Sequence, residues 1–214
     1  MLTPQQVICA ACEEDLIAYG DSFRGVGYTK SPDEAADRYG LMLGVIRDPS
    51  GPVSLLDFGC GLGHLLDHLQ THAAHREIHY TGLDLSAKYL ATARRRHPGV
   101  EFIQMDVLES DAGLPDYDYA ILNGLFNYRG SIDYQTMLQY WRNLTEVAYR
   151  HCRVGLAFNV MSKIVDWERD DLFHLPFDTM AEFVGRQLSR HFVVRHDYRA
   201  FEYTTYVYRQ PSAN

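Results

Sequence analysis

Between Val53 and His64 the chain reads Val-Ser-Leu-Leu-Asp-Phe-Gly-Cys-Gly-Leu-Gly-His, and no other stretch restricts the fold so tightly. A short apolar run closes on the acid Asp57. Glycine then takes every second position, at Gly59, Gly61 and Gly63, before helical spacing sets in through Leu65, Leu66 and Leu69. The pattern predicts a buried strand, a tight turn and a helix start. Glycine suits such a turn because the backbone must adopt positive φ and let a ligand approach closely. In open α/β sheets, nucleotide-like ligands bind at the carboxyl end of this kind of strand. The spacing also excludes. A dinucleotide fingerprint, G-x-G-x-x-G, would place its third glycine where His64 stands, and the phosphate-cradling G-x-x-x-x-G-K-[ST] loop is absent.

Around this stretch, apolar strand-like runs alternate with helical patterns, which argues for a parallel sheet. Strands are expected at 53–58, 78–83, 100–105, 117–122 and 154–160. Helices are expected at about 63–72, 86–97, 133–151 and 178–188. The last two strands, 192–198 and 203–209, are joined too closely for a helical crossover and must pair antiparallel. Ahead of the sheet lie two helices. Thr3 and Pro4 start the first, and Ser31, Pro32 and Glu34 form a capping box for the second. The sequence thus divides into an N-terminal helical extension, 1–50, folded as a lid, and a ligand-binding domain, 51–214, within one structural domain.

The run Asp57-Phe58-Gly59-Cys60-Gly61-Leu62-Gly63 resembles the first motif of class I S-adenosylmethionine (SAM)-dependent methyltransferases. The likeness extends over roughly 53–209, down to the closing strand Tyr203-Thr-Thr-Tyr-Val-Tyr-Arg209. It implies an α/β, Rossmann-like methyltransferase sheet of seven strands with the last antiparallel, and SAM as cofactor. It also implies a set of roles. Asp57 orients the loop, and Gly59, Cys60, Gly61 and Gly63 wrap the methionine part. Asp84 takes the ribose hydroxyls with Leu85 against the adenosine. Asp106 meets the adenine amine, followed by Val107, and Asn123 stands between cofactor and acceptor. The residues alone support the row: Asp57, Asp84, Asp106 and Asn123 each close a successive predicted strand, and Asp84 follows Gly63 at a distance suited to a ribose-binding carboxylate.

Acceptor recognition is expected outside the common sheet. Arg24 and Tyr28 in the lid segment are suited to the cofactor's carboxylate and methyl end. Phe126 and Tyr128 offer walls, against the alternative that they belong to the core. Lys163, Trp167 and Arg169, on a charged and aromatic stretch leaving the fifth strand, offer substrate contacts, and His174 is the best general-base candidate. The N-P-P-[YF] pattern that orients planar nucleobase amines is not present, since Gly124 and Leu125 stand at the proline positions. The cations Arg24, Lys30, Arg129, Lys163 and Arg169 lean the reading toward a small polar or anionic acceptor, methylated on oxygen or nitrogen with oxygen favoured. A non-catalytic SAM-binding protein and a NAD-dependent oxidoreductase are the alternatives.

A net charge of −8 argues against nucleic acid as partner. No apolar run reaches the length of a membrane span, and the N-terminus lacks a signal-peptide pattern. A cytoplasmic monomer or homodimer acting on a small molecule is therefore expected. Cys9 and Cys12 form a C-x-x-C pair on a helix with no second pair to complete a zinc site, so reduced thiols are expected. His64, His68 and His72 are spaced four apart on one helix; two such imidazoles could share a metal, but no third ligand is in view and no Glu follows His64, so no metal is expected.

Overall fold

The computed structural model describes residues 2–27, 32–47, 51–72 and 77–212, without the side chains of 32 and 33. Tyr28, Lys30 and the Ser31 cap lie outside the described residues.

The strands are β1 Val53–Phe58, β2 Ile78–Asp84, β3 Glu101–Gln104, β4 Tyr117–Leu122, β5 Cys152–Ser162, β6 His174–Leu175, β7 Phe192–Arg195 and β8 Glu202–Tyr208. The sheet order is β3-β2-β1-β4-β5-β8-β7, with β6 paired beside the end of β5. The pairs β3-β2, β2-β1, β1-β4 and β4-β5 run parallel. β8 runs antiparallel to β5, and β7 antiparallel to β8. Strand order reverses between β1 and β4, which opens a crevice at their carboxyl ends. The central strands carry near-continuous apolar runs because both faces are covered: Leu55, Leu56, Phe58, Ala120, Ile121, Leu122 and Phe158 are each 1% exposed or less.

The helices are α1 Pro4–Tyr19, α2 Pro32–Leu43, α3 His64–His72, α4 Ala87–Arg96, α5 Tyr134–Arg150 and α6 Phe177–Phe183. A 3-10 turn at Arg24–Val26 follows α1, and a π-helical turn at Val184–Leu188 continues α6. Side-chain caps fix two starts: Ser86 accepts from Tyr89 N at 3.2 Å, and Asp133 from Thr136 N at 3.0 Å. One face of the sheet packs on α1, α5 and α6 through residues such as Ile8, Trp141, Leu144 and Phe183. The other packs on α2 and α3 through Tyr39, Met42, Leu65 and Leu69. No described helix is long and apolar enough to cross a membrane.

The expected strands and helices are present with shifted ends, and one element is new. β5 runs four positions beyond the expected span in total, and His174–Leu175 forms an eighth strand parallel to Met161 and Ser162. Two residues carry no periodicity, so only a partner brought in by the fold defines such a strand.

Candidate functional site

The glycine turn is anchored on β2. Gly59 N and Cys60 N both donate to Leu83 O, at 2.7 and 3.1 Å, and Gly61 N donates to Asp84 Oδ2 at 2.9 Å. Gly59, Gly61 and Gly63 sit at φ of 68°, 53° and 83°. A side chain would also collide: a Cβ on Gly59 would lie 2.3 Å from Leu125 Cδ2, and one on Gly63 2.9 Å from the His97 ring. The turn therefore needs glycine for both conformation and space.

A cavity of about 830 Å³ opens over this rim, large enough for a cofactor with an acceptor beside it. Gly59, Gly61, Asp84, Leu85, Asp106 and Val107 line it beyond the ends of β1, β2 and β3, and Asn123 lines it just after β4, the next strand in the sheet. Asp57, Cys60 and Gly63 do not line the cavity. Asp57 lies beneath the loop, 3% exposed, and accepts from the Tyr80 hydroxyl at 2.8 Å. Cys60 packs with Leu66, Leu90, Ala93 and Phe102, and Gly63 faces His97. They shape the turn from below. Burial pushes the Asp57 carboxyl up to about 7, against the Tyr80 hydrogen bond and with help from the nearby Asp84 charge.

Asp84 is 8% exposed. Its Oδ1 accepts from Ser86 N at 2.8 Å and its Oδ2 from Gly61 N, so each oxygen keeps a lone pair for a ligand hydroxyl. Burial raises its pKa despite the backbone donors around it. Asp106 accepts from Leu108 N at 3.0 Å and from Gln5 Nε2 at 3.1 Å, the latter reaching down from α1. That helix covers this end of the cavity with Ile8, Cys9 and Cys12. Both cysteines are free, and burial raises their thiols to about 11 and about 12, which keeps them protonated and apolar in character.

The other end of the cavity is lined by Arg38, Asn127, Tyr128, Trp167, Phe201 and Glu202. Arg38 Nε lies 2.7 Å from Glu202 Oε1, and Asn127 Nδ2 donates to Glu202 Oε2 at 2.8 Å. Glu202 is 1% exposed, so the carboxylate is held by the guanidinium and the amide together. Tyr128 and Trp167 are exposed, at 40% and 74%. Arg169 also lines this end, but its guanidinium is bound to Asp171, whose pKa it lowers.

Several expectations are corrected here. Phe126 is 0% exposed and meets Tyr140 and Phe158 edge-on, so it is core and not a substrate wall. Arg24 lies outside the cavity lining, its guanidinium 4.1 Å from the Tyr19 ring centroid; the lid cation that lines the site is Arg38, on the next helix. Lys163 also lies outside and pairs with Glu168 at 2.9 Å. His174 lines the cavity but is 4% exposed, with both nitrogens engaged. Nδ1 is 2.6 Å from Ser162 O, and Arg169 N donates to Nε2 at 3.2 Å. A carbonyl only accepts and an amide only donates, so the ring is held as one neutral tautomer with no lone pair left for a substrate proton. Asn127, Glu202 and Tyr140 also line the site and carry no local motif; only the fold brings them to the cavity.

Residues 55–147 match the family described as methyltransferase domain. The chain is 29% identical over 168 residues to Rv1506c of Mycobacterium tuberculosis, a protein provisionally named a methyltransferase; the match spans 76% of this chain and 96% of that one. Among solved structures, magnesium protoporphyrin IX methyltransferase from Synechocystis PCC 6803 with bound SAM aligns over 98% of this chain and 99% of its own, with TM-score 0.68 and 13% identity. SAM-bound CalS10, an amino pentose methyltransferase from Micromonospora echinaspora, aligns over 90% and 97%, with TM-score 0.59 and 19% identity. With the glycine turn, the strand-end carboxylates and the closing antiparallel strand, these likenesses identify the class: the chain is a class I SAM-dependent methyltransferase. Its cofactor is SAM, and the open glycine turn and the lone pairs of Asp84 fit that group.

Proposed function

We propose that this enzyme methylates an oxygen or nitrogen of a small polar molecule, held at the end of the cavity between Tyr128, Trp167, Asn127 and Glu202. The observation that carries the reading is the two-part cavity. One end presents carboxylates and a glycine turn suited to the cofactor, and beyond Asn123 a second set of aromatic and polar side chains faces the same space. The bound cofactor supplies an electrophilic methyl group on a sulfonium. The protein's part is to hold the acceptor in line with it, at roughly 3 Å, and to exclude water. Asn123 closes β4 at the junction of the two ends. Its neighbour Gly124 is pinned by Asn159, whose Oδ1 accepts from Gly124 N at 2.7 Å.

The described cations around the cavity are already engaged within the protein. Arg169 and Lys163 are paired with Asp171 and Glu168, and Arg129 is spent on the carbonyls of Leu172 and Ile132, at 3.1 and 2.6 Å. Arg24 faces Tyr19, and Arg38 is bound to Glu202. A polar acceptor needing no net positive site is the reading these contacts favour. The N-terminal helices act as the cover of the site, and a cytoplasmic location accords with the reading.

The test is transfer of labelled methyl from SAM into a fractionated pool of polar metabolites, with Trp167→Ala and Tyr128→Ala alongside. Label in a small polar product, with KM for that acceptor raised in both variants, supports the proposal. Label found only in protein or nucleic acid overturns it.

A further inference from the structure

Tyr140 sits on the buried face of α5 with Met137, Trp141 and Leu144. It is 6% exposed and lines the cavity. Its ring is fixed edge-on against Phe126, 5.9 Å between centroids, so the direction of its hydroxyl is set by the core. Among the described residues that hydroxyl has no hydrogen-bond partner. The charged and polar groups that bear on it are those of Asp106, Cys12, Asp84 and Cys9, all at the nucleoside end. The ring packs in the core while the side chain lines the cavity, so the hydroxyl is a donor placed where a bound molecule can meet it.

The chemistry of the end supplies the partner. Asp84 and Asp106 can only accept when ionised, so they match the hydroxyls of a ribose and the exocyclic amine of an adenine. The ring nitrogens of the base and the ring oxygen of the sugar are acceptors, which no carboxylate can serve. The nearby amide Leu108 N is already spent on Asp106 Oδ1. A phenol is a donor and, raised in pKa chiefly by burial, stays one.

We propose that Tyr140 is a further cofactor-binding residue, its hydroxyl donating a hydrogen bond to an acceptor atom of the adenosine half of SAM. The inference rests on the cofactor assignment and not on the identity of the methyl acceptor.

The test uses the full chain and calorimetric titration with S-adenosylhomocysteine and with methylthioadenosine, which keeps the nucleoside and lacks the amino acid. For Tyr140→Phe, affinity for both falls about tenfold by loss of one hydrogen bond to an acceptor left unpaired. The melting temperature of the unliganded protein stays level or rises, because the removed oxygen bonds to no described protein group. A merely structural role would give the reverse pattern: lower melting temperature and unchanged affinity. That result overturns the proposal, as does a loss for S-adenosylhomocysteine without one for methylthioadenosine, which would put the contact at the amino-acid end. Tyr140→Met, which also lacks the hydroxyl, carries the same affinity test should the phenylalanine variant fail to fold. If the wild-type protein binds neither ligand, the cofactor assignment itself fails, a result distinct from equal binding by wild type and variant.

Discussion

The two ends of the cavity are built by different physics. The cofactor end is local. Its glycine turn and Asp84 come from two adjoining strand–turn–helix units, Asp84 accepting from Gly61 in one turn and from Ser86 in the next, and only the α1 cover, with Gln5 on Asp106, is brought from a distance. The acceptor end is assembled from afar. Arg38 reaches Glu202 across 164 positions, and Asn127 reaches it across 75. The acids differ accordingly. Burial raises Asp57 and Asp84, whereas Arg169 lowers Asp171. One end is a preformed backbone cradle that any acceptor chemistry can share. The other is a set of paired charges and exposed rings that can change without disturbing the first.

The sharpest way to break this comparison is to damage one end and read the other. Asp84→Ala removes the acceptor of two backbone amides and of the ribose hydroxyls. SAM affinity should fall at least about 100-fold, or about 3 kcal/mol, by calorimetry, while the fold stays intact by circular dichroism. A variant that still binds SAM near wild-type strength would refute the assignment of Asp84. Arg38→Met acts at the other end. It leaves the buried Glu202 carboxylate without its guanidinium, and such a loss costs about 3 kcal/mol, at the low end because Arg38 is partly exposed. Denaturant unfolding should show that loss, and Glu202→Gln in the same chain should recover most of it. Were the double variant as unstable as the single, the pair would not be the unit that holds this end.

The same contrast explains what could be read from the sequence. The glycine turn, the five parallel strands and the antiparallel hairpin are legible because each leaves a local period or a turn signal. Asp84 and Asp106 follow from their place at strand ends. At the acceptor end only residue types were legible, not directions. Phe126 and Tyr128 stand two positions apart after Gly124, at φ of 77°, and the fold buries one in the core and leaves the other 40% exposed. A cation on the lid was foreseeable, but Arg24 stacks on Tyr19 and Arg38 takes the position at the cavity. Tyr140 left one faint mark, a hydroxyl on the apolar face of an amphipathic helix, and such a group needs a partner.

The acids of the cofactor end also make it sensitive to pH. Unfolded, Asp57 titrates near ~3.9; folded, near about 7. Between those values the folded protein binds more protons than the unfolded chain. Its contribution to stability is therefore complete below the lower value, is lost as pH rises toward 7, and is flat above. The slope is at most about 1.4 kcal/mol per pH unit. Asp57→Asn keeps an acceptor for the Tyr80 hydroxyl and removes the titration. Urea midpoints at pH 5 and pH 8 should differ less in the variant than in the wild type. An unchanged difference would mean that Asp57 is ionised in the fold at both pH values.

His174 carries the smallest effect and the clearest contrast between a base and a brace. Its ring joins the end of β5, at Ser162 O, to the backbone of Arg169, and so closes the segment that brings Trp167 to the cavity. A general base would need a free lone pair, and protonation here would set Nε2–H against the amide of Arg169. His174→Ala should therefore cost about 1–3 kcal/mol of stability and raise the KM of the acceptor more than it lowers kcat. The acid limb of the pH–rate profile should remain where it stands in the wild type. A base would do the opposite: kcat would fall by the about 10²–10⁴-fold typical of such catalysis, and the acid limb would vanish with the ring. In that event the ring would have to turn out of both backbone contacts when the acceptor binds, and the acceptor end would be the mobile part of the molecule rather than a braced one.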